Sequence, residues 1–282
     1  MDILVLGASG LIGRAVCREM GEEGHIVGTY FKNKPSLSVT QLQFDVSKDN
    51  LTELLEKVRP NVIVSCLRGE FDDQFHIHEQ AAHWAKDYGA KIVFLSTANV
   101  FDGVPNEPHI ESDKPEALIL YGKYKILCEK MLDDILGRQL VIVRLPLVFN
   151  LERLRKLVSH DLADEGKLYE NLYKSLNRDS VVAGAIRFII MNNCSGIIHL
   201  GSSDCIRDSY FIRSAAEKLG LSTAGIREDY FDDETYCRAL GCDSTDGLAT
   251  KNNSRFYQVL NTVRSDIPQA FHPSCNQIMN IT

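Results

Sequence analysis

The stretch "LVLGASGLIGRAV", residues 4–16, decides how this chain is read. Three apolar residues run into Gly7; Gly10 and Gly13 follow at three-residue steps, and an amphipathic segment opens behind them. A short apolar run that stops at a glycine reads as a buried strand, and the segment after it reads as a helix. Glycines at such a junction allow a tight turn, let a backbone approach a pyrophosphate, and let the helix pack close on the strand. The helix N-terminus then offers free N–H groups to phosphate charge. Gly7, Ser9, Gly10, Leu11, Ile12 and Gly13 are therefore the expected contacts of a dinucleotide cofactor. A plain strand-to-helix turn would fit the same glycines, so the surrounding pattern has to separate the two.

Working outward, the same rhythm repeats. "HIVGTY" (25–30), "LQFDV" (42–46), "NVIVSC" (61–66), "KIVFLS" (91–96) and "QLVIVRL" (139–145) read as strands. Helical periodicity fills the gaps at 11–24, 50–60, 73–88 and 114–136. Continuous apolar strands alternating with helices predict parallel βαβ units, buried on both faces. The fold class is α/β, a doubly wound parallel sheet. Residues 1–150 are expected to form this dinucleotide-binding domain, with 180–202 ("SVVAGAIRFIIMNN" and "GIIHLGS") returning to it. Residues 151–179 and 203–282 are assigned to a smaller substrate-binding region, polar and irregular from about residue 222.

With 282 residues, the chain can bury a large core. Its net charge is −7 and its 31 basic residues are scattered, which argues against nucleic acid or an anionic membrane as partner. Without an apolar run of about 20 residues or a basic leader, the expectation is a cytoplasmic protein. The eight cysteines include no C-x-x-C pair, so reduced thiols are expected rather than a disulfide or zinc framework. Cys237 and Cys242, in "CRALGC", come nearest to a redox or metal pair and lack matching partners.

The second strand bears on cofactor choice. Asp or Glu at its end would bind an adenosine ribose. Here "VGTYFKNKP" supplies Thr29, Lys32 and Lys34, which suit a 2′-phosphate and favour NADP(H) over NAD(H); solvated lysines are the plainer reading. Asp45 and Val46, ending the third strand, are candidate adenine contacts, with Asp45 equally readable as a strand-end cap.

Four motifs then occur in order: "GASGLIG", "FLSTANVFDG" (94–103), "HIESDKPEALILYGKYK" (109–125) and "RLPLVF" (144–149). Together they resemble the extended short-chain dehydrogenase/reductases, and within them the dTDP-4-dehydrorhamnose reductases and relatives. One branch of those relatives serves as a regulatory subunit of methionine adenosyltransferase. The resemblance covers residues 1–220 well and the last sixty poorly. It implies an active site of Thr97, with Ser96 beside it, and the pair Tyr121 and Lys125. Residues four apart share a helix face. Lys125 is thus expected to sit beside the Tyr121 phenol and draw its pKa down from about 10. Thr97 would hydrogen-bond a substrate carbonyl, with Asn99 near the substrate. Tyr30 and Lys34 repeat the spacing but fall in the adenosine region. The backbone near Leu147 and Val148 is expected at the nicotinamide carboxamide, and Arg144 reads as a strand-end salt bridge slightly more than as a catalytic group.

The chain departs from the family pattern in two places. The loop after the fourth strand is "SCLRGE", where Cys66, Leu67 and Arg68 replace smaller residues; Arg68 could meet a substrate phosphate or narrow the site. The expected helix asparagine is absent from "DQFHIHEQ" (73–80), with Gln74 or His78 as substitutes. His76, His78 and His83 do not share one helix face, which disfavours a metal site. The resemblance implies an NADP(H)-dependent reductase of a carbonyl on a nucleotide-activated sugar, and a homodimer. Arg153, Arg155 and Lys156 are candidates for a diphosphate. The rival readings are a non-catalytic NADP-binding regulatory subunit and a sugar-nucleotide epimerase.

Overall fold

The computed structural model describes residues 1–21, 23–103, 108–163, 167–201, 206–223, 227–230 and 236–238. Cys205, Cys242, Cys275 and the polar stretch from 239 onward lie outside them, and with Cys242 the "CRALGC" pair. Fourteen strands and seven α-helices follow one another along the described chain. The strands are β1 (Asp2–Leu6), β2 (His25–Tyr30), β3 (Thr40–Gln43), β4 (Val62–Ser65), β5 (Lys91–Thr97), β6 (Leu140–Leu145), β7 (Leu147–Phe149), β8 (Lys167–Tyr169), β9 (Leu172–Lys174), β10 (Leu176–Arg178), β11 (Gly196–His199), β12 (Ile206–Arg207), β13 (Arg227–Asp229) and β14 (Tyr236–Arg238). The helices are α1 (Leu11–Glu19), α2 (Leu51–Val58), α3 (Phe71–Tyr88), α4 (Leu120–Leu136), α5 (Leu151–Ala163), α6 (Asp179–Met191) and α7 (Asp208–Lys218).

Seven parallel strands form the central sheet in the order β11-β6-β5-β4-β1-β2-β3. The order reverses between β1 and β4, which opens a crevice at their C-terminal ends. Alternation along β1 splits the core: Ile3 and Val5 join α1 and α6 on one face, while Leu4 and Leu6 join α2, α3 and α4 on the other. β1 is buried on both faces, which is why it reads as an unbroken apolar run.

Of the boundaries that differ from the sequence expectation, two have a visible cause. α4 begins at Leu120 rather than 114. The residues before it are committed elsewhere: the Gly103 N–H donates to Glu116 O at 2.9 Å, and the Leu118 N–H donates to Asp102 Oδ1. β3 runs over 40–43 rather than 42–46, because Asp45 closes a turn by accepting from the Ser47 N–H and hydroxyl.

Beyond residue 146 the chain also forms three small sheets: β7 with β10, β8 with β13, and β9 with β12 and β14. Strands of two or three residues leave no periodic trace in a sequence. They enclose a separate cluster built on Phe149, Leu154, Val158, Leu168, Leu176 and Phe211. Among the described residues no helix is long and apolar enough to cross a membrane.

Candidate active site

The glycine loop sits where β1 meets α1. Gly7 has φ +81°, and a Cβ there would lie 2.7 Å from Cys66 O. A Cβ on Gly13 would lie 2.4 Å from Gly7 O, so α1 can pack this close only with glycine. Gly10 caps α1 with no side-chain acceptor, and a Cβ there would meet only Gly7 O, at 3.3 Å. The first turn of α1 is thus open to an anion, and the loop fits a dinucleotide pyrophosphate.

Thr29 corrects an expectation. It is buried, and its Oγ1 accepts the Gly7 N–H at 2.9 Å. It braces the loop from behind and is not presented to a 2′-phosphate. Lys32 and Lys34 are exposed, with Lys32 Nζ 4.9 Å from the Phe31 ring. Asp45 is held by Ser47 and Lys48, and those contacts keep its carboxyl below the usual range. Val46 packs partly buried against the core.

A cleft of about 810 Å³ runs from the glycine loop across the C-terminal ends of β4, β5 and β6. Of the residues singled out from sequence, it brings together Gly10, Leu11, Ile12, Cys66, Leu67, Arg68, Gln74, Ser96, Thr97, Asn99, Tyr121, Lys125, Leu147 and Val148. Gly7, Ser9, Gly13, Thr29, Lys32, Lys34, Asp45 and Val46 do not line it. Arg153 and Lys156 reach it from α5, on the far wall.

Thr97 ends β5 and caps the turn of 3-10 helix at Ala98–Phe101 by accepting the Asn99 N–H at 3.2 Å. Its hydroxyl also lies close enough to the Tyr121 phenol to lower that group's pKa. Even so, the phenol is held above its ordinary value, because desolvation in the cleft outweighs the pull of Arg68 and Thr97. The expected lysine effect is therefore corrected. Lys125 is buried and donates to Leu95 O at 2.9 Å, with Nζ 6.0 Å from the Tyr121 ring centre. Burial pushes its ammonium down to about 8. Arg68 is the cation whose charge draws the phenol's pKa down, while Lys125 stands over the ring.

The altered loop is anchored. Gln74 is buried, and its Nε2 donates to Gly69 O at 2.6 Å, fixing the turn that carries Arg68. His78 is also buried, 2.6 Å from Ser65 Oγ, and desolvation drives it down to about 3, so it stays neutral. His76 and His83 are exposed and turned away from it. Tyr124 stacks on Phe71, with ring centres 4.6 Å apart.

A buried polar network beneath the cleft went unread in the sequence. Arg144 pairs with Glu129, Nη2 to Oε2 at 2.7 Å, and both side chains are buried. Ser96 donates to the same carboxylate. Its hydroxyl is thus turned away from the cofactor contact expected of it. Arg144 Nη1 reaches His199 Nε2 at 3.3 Å, and the His199 N–H donates to Glu111 at 3.0 Å. Arg144 as an ion-paired strand residue matches the reading favoured from sequence. Its partner, 15 residues away on α4, carries no local signal.

A family model described as the RmlD substrate-binding domain matches residues 1–161. The chain belongs to the RmlD substrate-binding-domain family. Methionine adenosyltransferase 2 subunit beta of Bos taurus is 32% identical over 170 residues, 55% of this chain and 49% of that protein. The chain thus spans about half the length of that subunit. The probable low-salt glycan biosynthesis reductase Agl14 of Haloferax volcanii is 25% identical over 243 residues, 78% of this chain and 81% of that one. A dTDP-4-dehydrorhamnose reductase of Bacillus anthracis, solved in complex with NADP, shares the fold with a TM-score of 0.66 at 16% identity, covering 92% of this chain and 99% of that one. The RmlD match ends within α5, so β11 and α6 lie beyond it.

Proposed function

We propose that this RmlD-family chain is an NADP(H)-dependent reductase of a carbonyl on a nucleotide-activated sugar or a similar polar substrate. The observation that carries the reading is the meeting of Thr97 and Tyr121 in one cleft with the open glycine loop. When bound, the nicotinamide would supply hydride to the carbonyl carbon. Tyr121 would give its phenolic proton to the carbonyl oxygen, leaving an alcohol. Thr97 would hold that oxygen by donating a hydrogen bond. Arg68 would stabilise the phenolate left on Tyr121. Lys125, tied to Leu95 O, would hold the cofactor ribose from below. Lys32 and Lys34 are left to favour a 2′-phosphate.

Oxidation of NADPH, followed by absorbance against a panel of nucleotide-sugar ketones, tests this reading. Tyr121→Phe should lower turnover about 10²–10⁴-fold and leave NADPH affinity unchanged. Turnover equal to the parent would refute the role of Tyr121.

A second reading is a non-catalytic NADP-binding regulatory subunit. Two observations favour it: the identity to methionine adenosyltransferase 2 subunit beta, and a Tyr121 phenol held above its ordinary pKa. NADPH binding with no turnover of any ketone would support it.

A further inference from the structure

Besides Arg14 at the glycine loop, two arginines face the cleft without a carboxylate to balance them. Arg68 stands exposed on the loop after β4 and makes no hydrogen bond or ion pair among the described residues. Arg153 comes from the opposite wall, in the first turn of α5, and its Nε is buried with no acceptor. The two are electrostatic neighbours: burial and Arg68 together hold the Arg153 guanidinium below its ordinary range. The charge of Arg68 also reaches Tyr121 and Lys125.

The one acidic residue lining the cleft, Glu152, is already taken by Lys156 at 2.7 Å. Lys174, on the same wall, is taken by Asp208. A buried guanidinium donor left unpaired beside a second cation is costly unless a ligand completes it. Guanidinium forks match the two oxygens of a carboxylate or phosphate. The phosphates of a dinucleotide have their own place at the glycine loop, next to Gly10 and Arg14.

We infer that Arg68 and Arg153 form a clamp for an oxyanion of the substrate, held beside the Tyr121 hydroxyl and apart from the cofactor's phosphates. The substrate is then a carbonyl compound that carries a carboxylate or phosphate close to its reacting carbon. Arg68 serves it twice, by gripping this anion and by facing the phenol that donates the proton. The inference rests on the reductase reading only for the role of Tyr121; the anion site itself does not.

The test is a titration of the full chain with malonate and, separately, with inorganic phosphate, following the Arg68 and Arg153 Nε–H resonances by NMR, with the Arg153 resonance read in Arg68→Gln and the Arg68 resonance in Arg153→Lys. It is run on the free protein and on protein saturated with NADPH, whose binding is read independently by fluorescence. The expected result is a saturable shift that survives NADPH, with affinity at least tenfold weaker in Arg68→Gln and in Arg153→Lys at unchanged melting temperature. The tighter of the two anions names the group. Three results would overturn the clamp: no saturable shift, affinity unchanged in both variants, or loss of the shift in the NADPH complex, which would assign the pair to a cofactor phosphate. Failure of NADPH to bind would sink the reductase reading and leave the free-protein titration intact.

Discussion

Replacing Arg144 by methionine tests the buried network at its centre. Arg144 is 1% exposed and Glu129 is 6% exposed. The single change strands the Glu129 carboxylate, with only the Ser96 hydroxyl left to it. Stranding one member of a buried pair costs about 3–5 kcal/mol. For a chain of this size each kcal/mol lowers the melting temperature by about 2–4 °C, so the fall should be roughly 6–20 °C. Adding Glu129→Met removes the stranded charge, and the double variant should recover about half of the loss. A remainder of about 1–3 kcal/mol should persist, because Ser96 loses its acceptor. Scanning calorimetry of both single variants and the double variant closes the cycle. The network joins α4, which carries Tyr121, to β5, β6 and β11. Turnover in the double variant should therefore stay depressed despite this recovery, with NADPH affinity unchanged. A double variant less stable than either single one would refute the reasoning, as would a loss below about 1 kcal/mol for Arg144→Met.

Gly13→Ala places a methyl 2.4 Å from Gly7 O, so α1 must shift; a loss of about 1–3 kcal/mol and weaker NADPH binding by fluorescence titration are expected. Lys125 has its pKa lowered from 10.5 in the unfolded chain to about 8 in the fold, so between these values the unfolded state binds more protons and Lys125 adds stability as pH rises. Melting curves from pH 7.5 to 10.5 should show Lys125→Met lacking that component, about 3 kcal/mol at most, relative to the parent; parallel profiles would contradict it. Lys32→Gln with Lys34→Gln should cut the preference for NADPH over NADH about tenfold or more, measured as a ratio of dissociation constants; an unchanged ratio removes both lysines from the 2′-phosphate.

The sheet was legible because its strands are buried on both faces and therefore written as continuous apolar runs, as in "DILVL" and "QLVIVRL". The start of α4 was not, because Asp102 and Glu116 hold the preceding residues through contacts that helical periodicity does not record. Tyr121 and Thr97 were found by motif, and the cleft brings them together. Thr29 was misjudged for a physical reason. A threonine at a strand end has two uses, and only the fold reveals that its oxygen is consumed by Gly7. The same holds for Lys125: spacing gives the shared face of a helix, but not which acceptor the ammonium takes. Arg68 and Arg153 were each read as candidate phosphate contacts, but their pairing was not, because they are 85 residues apart, on opposite walls of the cleft.

The last strand of the sheet has a practical consequence for anyone cutting this chain. The family match ends at residue 161, but the sheet is finished by β11, at 196–199, and α1 is covered by α6. A fragment stopped at 161 would leave β6 as an open edge, with the apolar side chains of Val141 and Val143 stripped of their cover. Such an edge invites pairing with another copy of itself. The seven-stranded half is thus not severable at the motif boundary. The polypeptide leaves it, builds the far wall of the cleft, and comes back to seal it, so the shortest fragment worth expressing reaches at least His199.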